Sequence, residues 1–163
     1  GFKGNDSVAS GDDIFLFEKF LAHDKKSVGI LKSKEAMVTT FPVKTWRELL
    51  EQRTRWAAKT SQLKSVPVQL IGLLVTLVNL FLILSFLRLA FQPNSSTIFL
   101  LAWCIKLIVD LVLFIPTIRF FKNETTFFKW YIPSSLLYPF FSVFVIFKAL
   151  FFKYKWKGRT FKK

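Results

Sequence analysis

The chain begins with a polar N-terminal region, and three long apolar segments separated by short polar stretches follow it. The segments cover residues 66–90, 97–118 and 131–152. The first has 25 residues, which at ~1.5 Å per residue makes a helix about 37 Å long. The hydrocarbon core of a bilayer is roughly 30 Å thick, so the segment is long enough to span it with some tilt. The pattern predicts a membrane region over 66–152, preceded by a soluble region over 1–65.

Within the soluble region the pattern predicts a mixture of helices and strands. The stretch "DIFLFEKFLAH" is typical of a helix that is entered through "SGDD", where Ser10 and Asp13 fit the Ser-x-x-Asp pattern of a helix start. Ser10 lies outside the residues described below. Two short stretches rich in β-branched residues, 27–32 and 35–41, predict strands joined by a polar turn. Thr45 and Glu48 form a Thr-x-x-Glu capping box, which predicts a helix over about 46–63.

This last helix separates two kinds of side chain onto different faces. An apolar stripe is expected to pack on the soluble domain or the membrane interface, and it consists of Trp46, Leu49, Leu50 and Ala57. A second face carries residues at i, i+3, i+4 and i+7, namely Gln52, Arg55, Trp56 and Lys59. One interpretation is a juxtamembrane helix whose basic residues contact lipid headgroups. The other is a reader of sugar phosphates, because guanidinium binds phosphate oxygens through two hydrogen bonds and an indole can stack on a pyranose ring.

Composition and charge favour a membrane protein over a nucleic-acid-binding one. The chain is 52% hydrophobic and has 21 phenylalanines. Residues 1–65 hold 12 Lys and Arg against 8 Asp and Glu, whereas residues 66–163 hold 12 against 2. Basic charge that flanks apolar segments indicates membrane anchoring, and no basic stripe is interleaved with polar residues that could read bases. Residues 153–163 form a separate basic tail.

Two motifs make the chain similar to a known family. "QRTRW" (52–56) matches a Gln-x-x-Arg-Trp motif, and "SGDDIFL" supplies an acidic pair about 40 residues upstream. Together with "VTTFPVKTWRELLEQRTRW" and the apolar segments that follow, they resemble the membrane-bound family 2 glycosyltransferases, which include cellulose, hyaluronan and poly-N-acetylglucosamine synthases. The resemblance implies an α+β fragment, the C-terminal part of a GT-A-type α/β domain over 1–65, followed by a helical transmembrane region over 66–152.

The resemblance also implies roles for individual residues. Gln52 and Arg55 would face the donor diphosphate, and Trp56 would stack on the acceptor sugar. Asp12 would belong to the acceptor-side acidic pair, and Asp13 would be the general base that deprotonates the acceptor hydroxyl during inverting transfer. The alternative for the acidic pair is plain capping of a helix N-terminus, where the helix dipole stabilises the anionic form of Asp13 and weakens it as a base.

Partners and cofactors follow from the same resemblance. The expected partners are a nucleotide-sugar donor, a lipid or growing glycan acceptor and membrane lipids, with no nucleic acid. The family implies a divalent metal, Mg or Mn, but this sequence has no Asp-x-Asp motif. The donor half and the metal ligands are therefore expected to precede Gly1.

Two other readings stay open. A non-enzymatic membrane protein, such as a transporter subunit, could be built around Lys106 and Asp110, which are spaced i, i+4 within the second apolar segment. A degenerate family member acting as a scaffold is a further alternative. As an enzyme, the chain is expected to be a multi-pass protein of the inner or plasma membrane with its catalytic part in the cytoplasm. The basic tail is expected to stay cytoplasmic, with residues 131–152 bending back at Pro133 and Pro139 or lying in the interface.

Overall fold

The computed structural model describes residues 12–60, 62–63, 65–92, 96–121, 124–156 and 159–161. These residues form five helices and a two-stranded hairpin: α1 (Asp12–His23), α2 (Trp46–Thr60), α3 (Val66–Phe91), α4 (Ser96–Phe121), α5 (Glu124–Phe151), β1 (Tyr154–Trp156) and β2 (Arg159–Phe161). The chain divides into two compact units, one made of Gly1–Gly72 with Val145–Lys163 and the other of Leu73–Phe144.

The helices of the N-terminal region begin where the local signals predict. α1 begins at Asp12 and ends at His23. At the start of α2 the Glu48 backbone N–H donates to Thr45 Oγ1 over 3.2 Å, and the Thr45 N–H donates to Glu48 Oε2 over 3.1 Å. This reciprocal pair is the predicted capping box, and it satisfies backbone N–H groups that the first helical turn leaves unpaired. α2 ends at Thr60, three residues before the predicted end.

The predicted α/β character of residues 1–65 is wrong. Within the described residues, 27–32 and 35–41 form bends, turns and irregular chain, and no strand lies before Tyr154. Ile30 and Val38 are 97% and 92% exposed, so their side chains pack against no sheet face. β-branched residues favour strands because they pack on pleated, half-buried surfaces, and a hairpin that lacks such packing is marginal in water.

A local turn takes the place of the predicted strand pairing. The Ser33 hydroxyl donates to the Glu35 carboxylate, and the Glu35 backbone N–H donates back to Ser33 Oγ over 3.2 Å. The first of these hydrogen bonds lowers the pKa of the Glu35 carboxyl below its ordinary value. Short polar side chains thus satisfy this stretch of backbone locally.

Three helices among the described residues are long and apolar enough to cross a membrane. The apolar stretches are Val66–Leu89, Thr97–Phe121 and Thr126–Phe151. Large apolar side chains such as Leu77, Leu101 and Leu137 are exposed on their surfaces. Contiguous exposed apolar surface of this extent is foreign to water-soluble monomers and suits contact with lipid tails. The chain is therefore a membrane protein.

The third of these helices is longer than the sequence predicts. α5 begins at Glu124 rather than at 131, and it continues to Phe151 with Pro133 and Pro139 inside it. The alternative in which this segment bends back at the prolines is therefore wrong, and the alternative in which it lies in the interface stays a prediction. Proline is tolerated inside membrane-region helices because neighbouring side chains and helices can satisfy the carbonyl groups that it leaves unpaired.

Aromatic and hydrogen-bonded contacts join α3, α4 and α5 in the unit Leu73–Phe144. The ring of Phe86 lies 5.9 Å from that of Phe99 and 5.7 Å from that of Phe140, measured between centroids. The Tyr131 hydroxyl donates to the Leu107 carbonyl oxygen over 2.6 Å. Each of the three helices therefore contacts at least one other through a specific side chain.

The other unit has a small core made by α2, the end of α5 and the C-terminal hairpin. Ala58, Ala149 and Tyr154 are buried against one another, with Ala57 packed beside them. In the hairpin β1 and β2 are antiparallel, with Tyr154 opposite Phe161 and Trp156 opposite Arg159. The sequence predicted only a basic tail over these residues, so the hairpin is an addition to that prediction.

Candidate functional site

The helix with the Gln-x-x-Arg-Trp motif is held in place by a face that the motif does not use. Glu51 Oε1 accepts a hydrogen bond from Lys148 Nζ over 2.6 Å, Thr54 is 0% exposed, and Ala58 is buried against Ala149. These three residues of α2 follow an i, i+3, i+7 spacing, which is one helical face. α2 therefore packs on the end of α5 and on β1 through Glu51, Thr54 and Ala58.

Of the apolar stripe predicted for α2, Ala57 packs beside this face, and packing of the stripe on the membrane interface stays a prediction. Trp46 at its start is 76% exposed, and Leu49, Leu50 and Ala57 are only half-buried. The packed face instead consists of an acidic, a hydroxyl and a small side chain. The small side chain of Ala58 leaves room for α5 beside it. Hydrophobic spacing alone did not identify this face.

The motif residues lie on the side of α2 away from this contact or at its border. Gln52 and Arg55 are half-buried, and Trp56 is 41% exposed. The guanidinium carbon of Arg53 lies 4.6 Å from the centroid of the Trp56 ring, a cation–π contact. The indole thus has a positioned cation on its ring. Gln52 lies one helical turn before it, and Arg55 is its direct neighbour in the chain.

The charges of α2 favour an anionic ligand. The helix contains four basic residues, Arg47, Arg53, Arg55 and Lys59, and two acidic ones, Glu48 and Glu51. Glu48 accepts hydrogen bonds from the backbone at the helix start, and Glu51 is paired with Lys148. The helix therefore carries a formal net charge of +2, four basic against two acidic side chains, which favours an anion over a cation beside it.

The acidic pair lies at the start of α1, and the described contacts do not bring it to the motif. α1 begins at Asp12, whose side chain lies outside the described part of the chain, and Asp13 is exposed. The contact that fixes α1 is a hydrogen bond from the Ser65 N–H to Glu18 Oε1 over 3.2 Å, at the entry to α3. Within the described residues no hydrogen bond joins Asp13 to Gln52 or Trp56. The helix-cap alternative for Asp13 therefore stays open.

A metal site does not emerge from the described residues. No three His, Cys, Asp or Glu side chains among them lie together in a group that could hold an ion. A divalent ion bound by protein oxygens needs several such ligands. The metal that the family resemblance implies thus does not fit the side chains seen here, and none of them is assigned to it.

Polar groups also meet inside the apolar helices, as the sequence suggested. Lys106 Nζ lies 2.5 Å from Asp110 Oδ2 one turn further along α4, which confirms the predicted ion pair. Lys106 Nζ also donates to Ser135 Oγ of α5 over 3.3 Å. The two charges neutralise each other within one helix, and the serine supplies a further acceptor, as intramembrane charges require.

Sequence reasoning missed Glu51, Lys148 and Arg53. Lys148 was the one signal that could have indicated a partner, because it is a lone cation near the end of an apolar segment. Its partner is 97 residues away in sequence, which no local pattern can identify. Arg53 precedes Trp56 by three residues, the helical spacing of side-chain neighbours, so its contact with the indole could have been inferred.

Taken by its chemistry, the α2 surface can bind a phosphate-bearing ligand and stack a flat or ring-shaped one beside it. The fork of Arg55 suits bidentate phosphate contacts, and the indole of Trp56 offers an apolar face. Helices α1 and α2 belong to the same unit.

No protein-family model matches the chain, and neither the curated proteins nor the solved structures give a match to it.

Proposed function

We propose that this chain provides the acceptor-side part of an inverting glycosyltransferase, which moves a sugar from a nucleotide-sugar donor to a lipid or growing glycan at the membrane. The observation that carries the proposal is the arrangement of α2. The helix packs through Glu51, Thr54 and Ala58 and leaves Gln52 and Trp56 off that face. It ends at Thr60, six residues before the first residue of the apolar helix α3. A helix held in this way keeps the polar side chains of the motif outside its packed face, shortly before the first apolar helix of the chain.

In the proposed chemistry each side chain of the motif has one role. The Arg55 guanidinium binds the donor diphosphate through two hydrogen bonds and stabilises the negative charge that the leaving group gains. The Gln52 amide hydrogen-bonds the same group or a sugar hydroxyl. Trp56 stacks on the acceptor sugar, with Arg53 fixing the orientation of the indole.

Asp13 is proposed as the general base. Its carboxylate takes the proton from the acceptor hydroxyl while that oxygen forms a bond to the anomeric carbon. The bond from the anomeric carbon to the diphosphate oxygen breaks on the opposite side, and the nucleoside diphosphate leaves with the electron pair. The configuration inverts because attack and departure are in line.

Cofactor and compartment belong to the same proposal. The family resemblance implies Mg or Mn with the donor diphosphate, and the ion would neutralise charge on the leaving group. No residue of this sequence is assigned as its ligand. The α1–α2 region would lie in the cytoplasm, where nucleotide sugars are made, with α3–α5 in the inner or plasma membrane.

The decisive experiment replaces the base. Membranes from cells that express the full-length gene are incubated with a panel of radiolabelled uridine and guanosine diphosphate sugars, and transfer to lipid or polymer is counted. Asp13→Asn keeps the helix-capping ability but removes the base, so turnover should fall by about 10²–10⁴-fold. His23→Ala, at the other end of α1, is the matched control and should stay within a few-fold of wild type. Normal turnover in Asp13→Asn would show that the carboxylate is only a helix cap.

A non-enzymatic membrane protein, such as a transporter subunit or a degenerate glycosyltransferase scaffold, is the second candidate. The observation that favours it is the Lys106–Asp110 pair inside the apolar helices. We place it second because a transporter has no use for the motif helix. It would be favoured if wild-type membranes transferred no sugar from any donor in the panel.

A further inference from the structure

A cavity lies among α3, α4 and α5 in the unit Leu73–Phe144, and it combines apolar walls with a polar cluster. Its volume is about 620 Å³, within the range of roughly 300–1,000 Å³ that is common for small-molecule sites. Its walls include aliphatic and aromatic side chains from all three helices. The polar residues that line it include Asn79, Lys106, Asp110, Tyr131, Ser134, Ser135 and Tyr138.

The ion pair in this cavity selects the charge of a ligand. The side chain of Lys106 is 9% exposed and that of Asp110 is 27% exposed, so the carboxylate is the more accessible of the two. An anionic head would be repelled by this carboxylate. A cationic head would compete with Lys106 for it, which leaves one of the two cations without a counter-ion in an apolar site. A neutral head that donates a hydrogen bond avoids both costs.

Further contacts of the cluster indicate that the cavity is preformed. The Tyr131 hydroxyl donates to the Leu107 carbonyl oxygen over 2.6 Å, and Asn79 Nδ2 donates to the Val75 carbonyl oxygen over 2.8 Å. Lys106 directs N–H groups at Asp110 and Ser135, and an ammonium has three of them. The polar wall is thus held by the protein itself, with donor and acceptor capacity left for a small head group.

We propose that this cavity binds the hydroxyl head of a neutral long-chain lipid. The lipid O–H donates to the Asp110 carboxylate, its oxygen accepts from the Lys106 ammonium, and the first methylenes of its chain lie against the apolar wall. A second helix is a poorer occupant, because a helix with its side chains is about 10–12 Å across and the polar groups here already bond within the unit. The proposal does not depend on the transferase activity.

The test uses photolabelling of the purified full-length protein in detergent. The probe is a diacylglycerol with a diazirine in one acyl chain, and labelled peptides are mapped by mass spectrometry. Labelling should fall on cavity residues of α3–α5, and unlabelled dioleoylglycerol should compete. Its O-methyl ether, which has no O–H to donate, and dioleoyl phosphatidic acid should compete at least tenfold less well. Equal competition by either compound would overturn the proposed head-group chemistry.

Two variants locate the site. Lys106→Met/Asp110→Leu removes both charges together, a change that buried pairs often tolerate, and should lower labelling at least tenfold. The matched control is Arg88→Met/Gln92→Leu, which removes the polar i, i+4 pair at the end of α3 and should label like wild type. Ser134→Leu fills the cavity without touching the ion pair and should also abolish labelling.

Thermal unfolding and size-exclusion profiles of each variant show whether it is folded. Labelling that persists in the folded Ser134→Leu variant would show that the lipid binds elsewhere, and the proposal would fail. Wild-type protein that is unlabelled and instead self-associates through α3–α5 would show that a second copy fills the cavity, which also overturns it.

Discussion

Glu51 of α2 and Lys148 of α5 form an ion pair between residues 97 positions apart, with Glu51 Oε1 and Lys148 Nζ separated by 2.6 Å. Their side chains are 27% and 21% exposed, so water screens the pair only in part. Beside it Ala58, Ala149 and Tyr154 close the core of this unit. The pair therefore ties the motif helix to the end of the last apolar helix.

Reversing one charge of this pair should weaken the unit. Glu51→Lys places two cations together in a partly buried site, and we expect a loss of about 1–3 kcal/mol, between the values for exposed and buried pairs. The melting temperature in detergent, followed by tryptophan fluorescence, should fall by at least about 2 °C.

The double variant Glu51→Lys/Lys148→Glu supplies the control, because it restores opposite charges with the positions exchanged. It should recover most of the lost stability in a double-mutant cycle. If the double variant were as unstable as the sum of both single variants, the two residues would not be coupled and the contact would carry no stability.

The buried face of α2 also contains an unsatisfied hydroxyl. Thr54 is fully buried, and its Oγ1 has no hydrogen-bond partner in the part of the chain that the structure describes. Leaving a buried polar group unpaired costs about 1–3 kcal/mol, and valine has nearly the same shape without that group. Thr54→Val should therefore raise the melting temperature by at least about 2 °C.

Thr60→Val is the matched control on the same helix. Thr60 is exposed, and its hydroxyl donates to the Trp56 carbonyl oxygen over 2.9 Å. The substitution should leave stability within about 0.5 kcal/mol of wild type, as for ordinary surface changes. A melting temperature that falls in Thr54→Val would mean that the hydroxyl has a stabilising partner.

Local signals were sufficient to predict α1, α2, α3 and α4, but not the start or the continuity of α5. The capping box of Thr45 and Glu48 placed the start of α2, and segment length placed α3 and α4. The Lys106–Asp110 pair was predictable because its members are one helical turn apart. Each of these features depends on residues close in sequence.

Features that depend on distant residues were not predictable. Residues 27–32 and 35–41 have the composition of strands, but a strand also needs a neighbour that buries its side chains, and Ile30 and Val38 have none within the described chain. The contact of Glu51 and Ala58 was not predicted because their partners, Lys148 and Tyr154, come almost a hundred residues later. The roles of Asp13, Gln52, Arg55 and Trp56 stay predictions.

Arg55→Lys separates a phosphate reader from a lipid anchor. Lysine keeps the positive charge for headgroups but cannot make the bidentate contact of guanidinium. We expect normal membrane insertion and a transfer rate at least tenfold lower, which corresponds to about 1.4 kcal/mol of activation free energy. The rate is measured with the labelled-donor assay in membranes.

Arg47→Lys on the same helix is the control, since Arg47 is exposed and outside the motif. It should insert and turn over like wild type. Full activity in Arg55→Lys would instead support the interpretation of α2 as an interfacial anchor whose cations need only their charge.

The contacts of α2 also predict the side of the membrane on which the chain ends. α2 precedes α3, and its partners Lys148, Ala149 and Tyr154 lie at and beyond the end of α5. Residues in direct contact must lie on the same side, so an even number of complete crossings is expected between Thr60 and Tyr154. The basic residues after Phe152 favour the cytoplasmic side, worth about 1 kcal/mol each near an anionic leaflet.

Cysteine labelling in intact cells tests this topology. In a Cys104→Ala background, single cysteines are placed at Lys26, in the exposed turn after α1, and at Lys153, which is exposed just before β1. Both should resist a membrane-impermeant maleimide in intact cells and react after permeabilisation, because the Glu51–Lys148 contact puts both regions on one side and the basic tail predicts that this side is cytoplasmic. The cysteine at Lys26 also serves as the control for cell integrity. Labelling of Lys153→Cys alone in intact cells would mean that α3, α4 and α5 all cross completely, and that the ion pair does not form in the membrane.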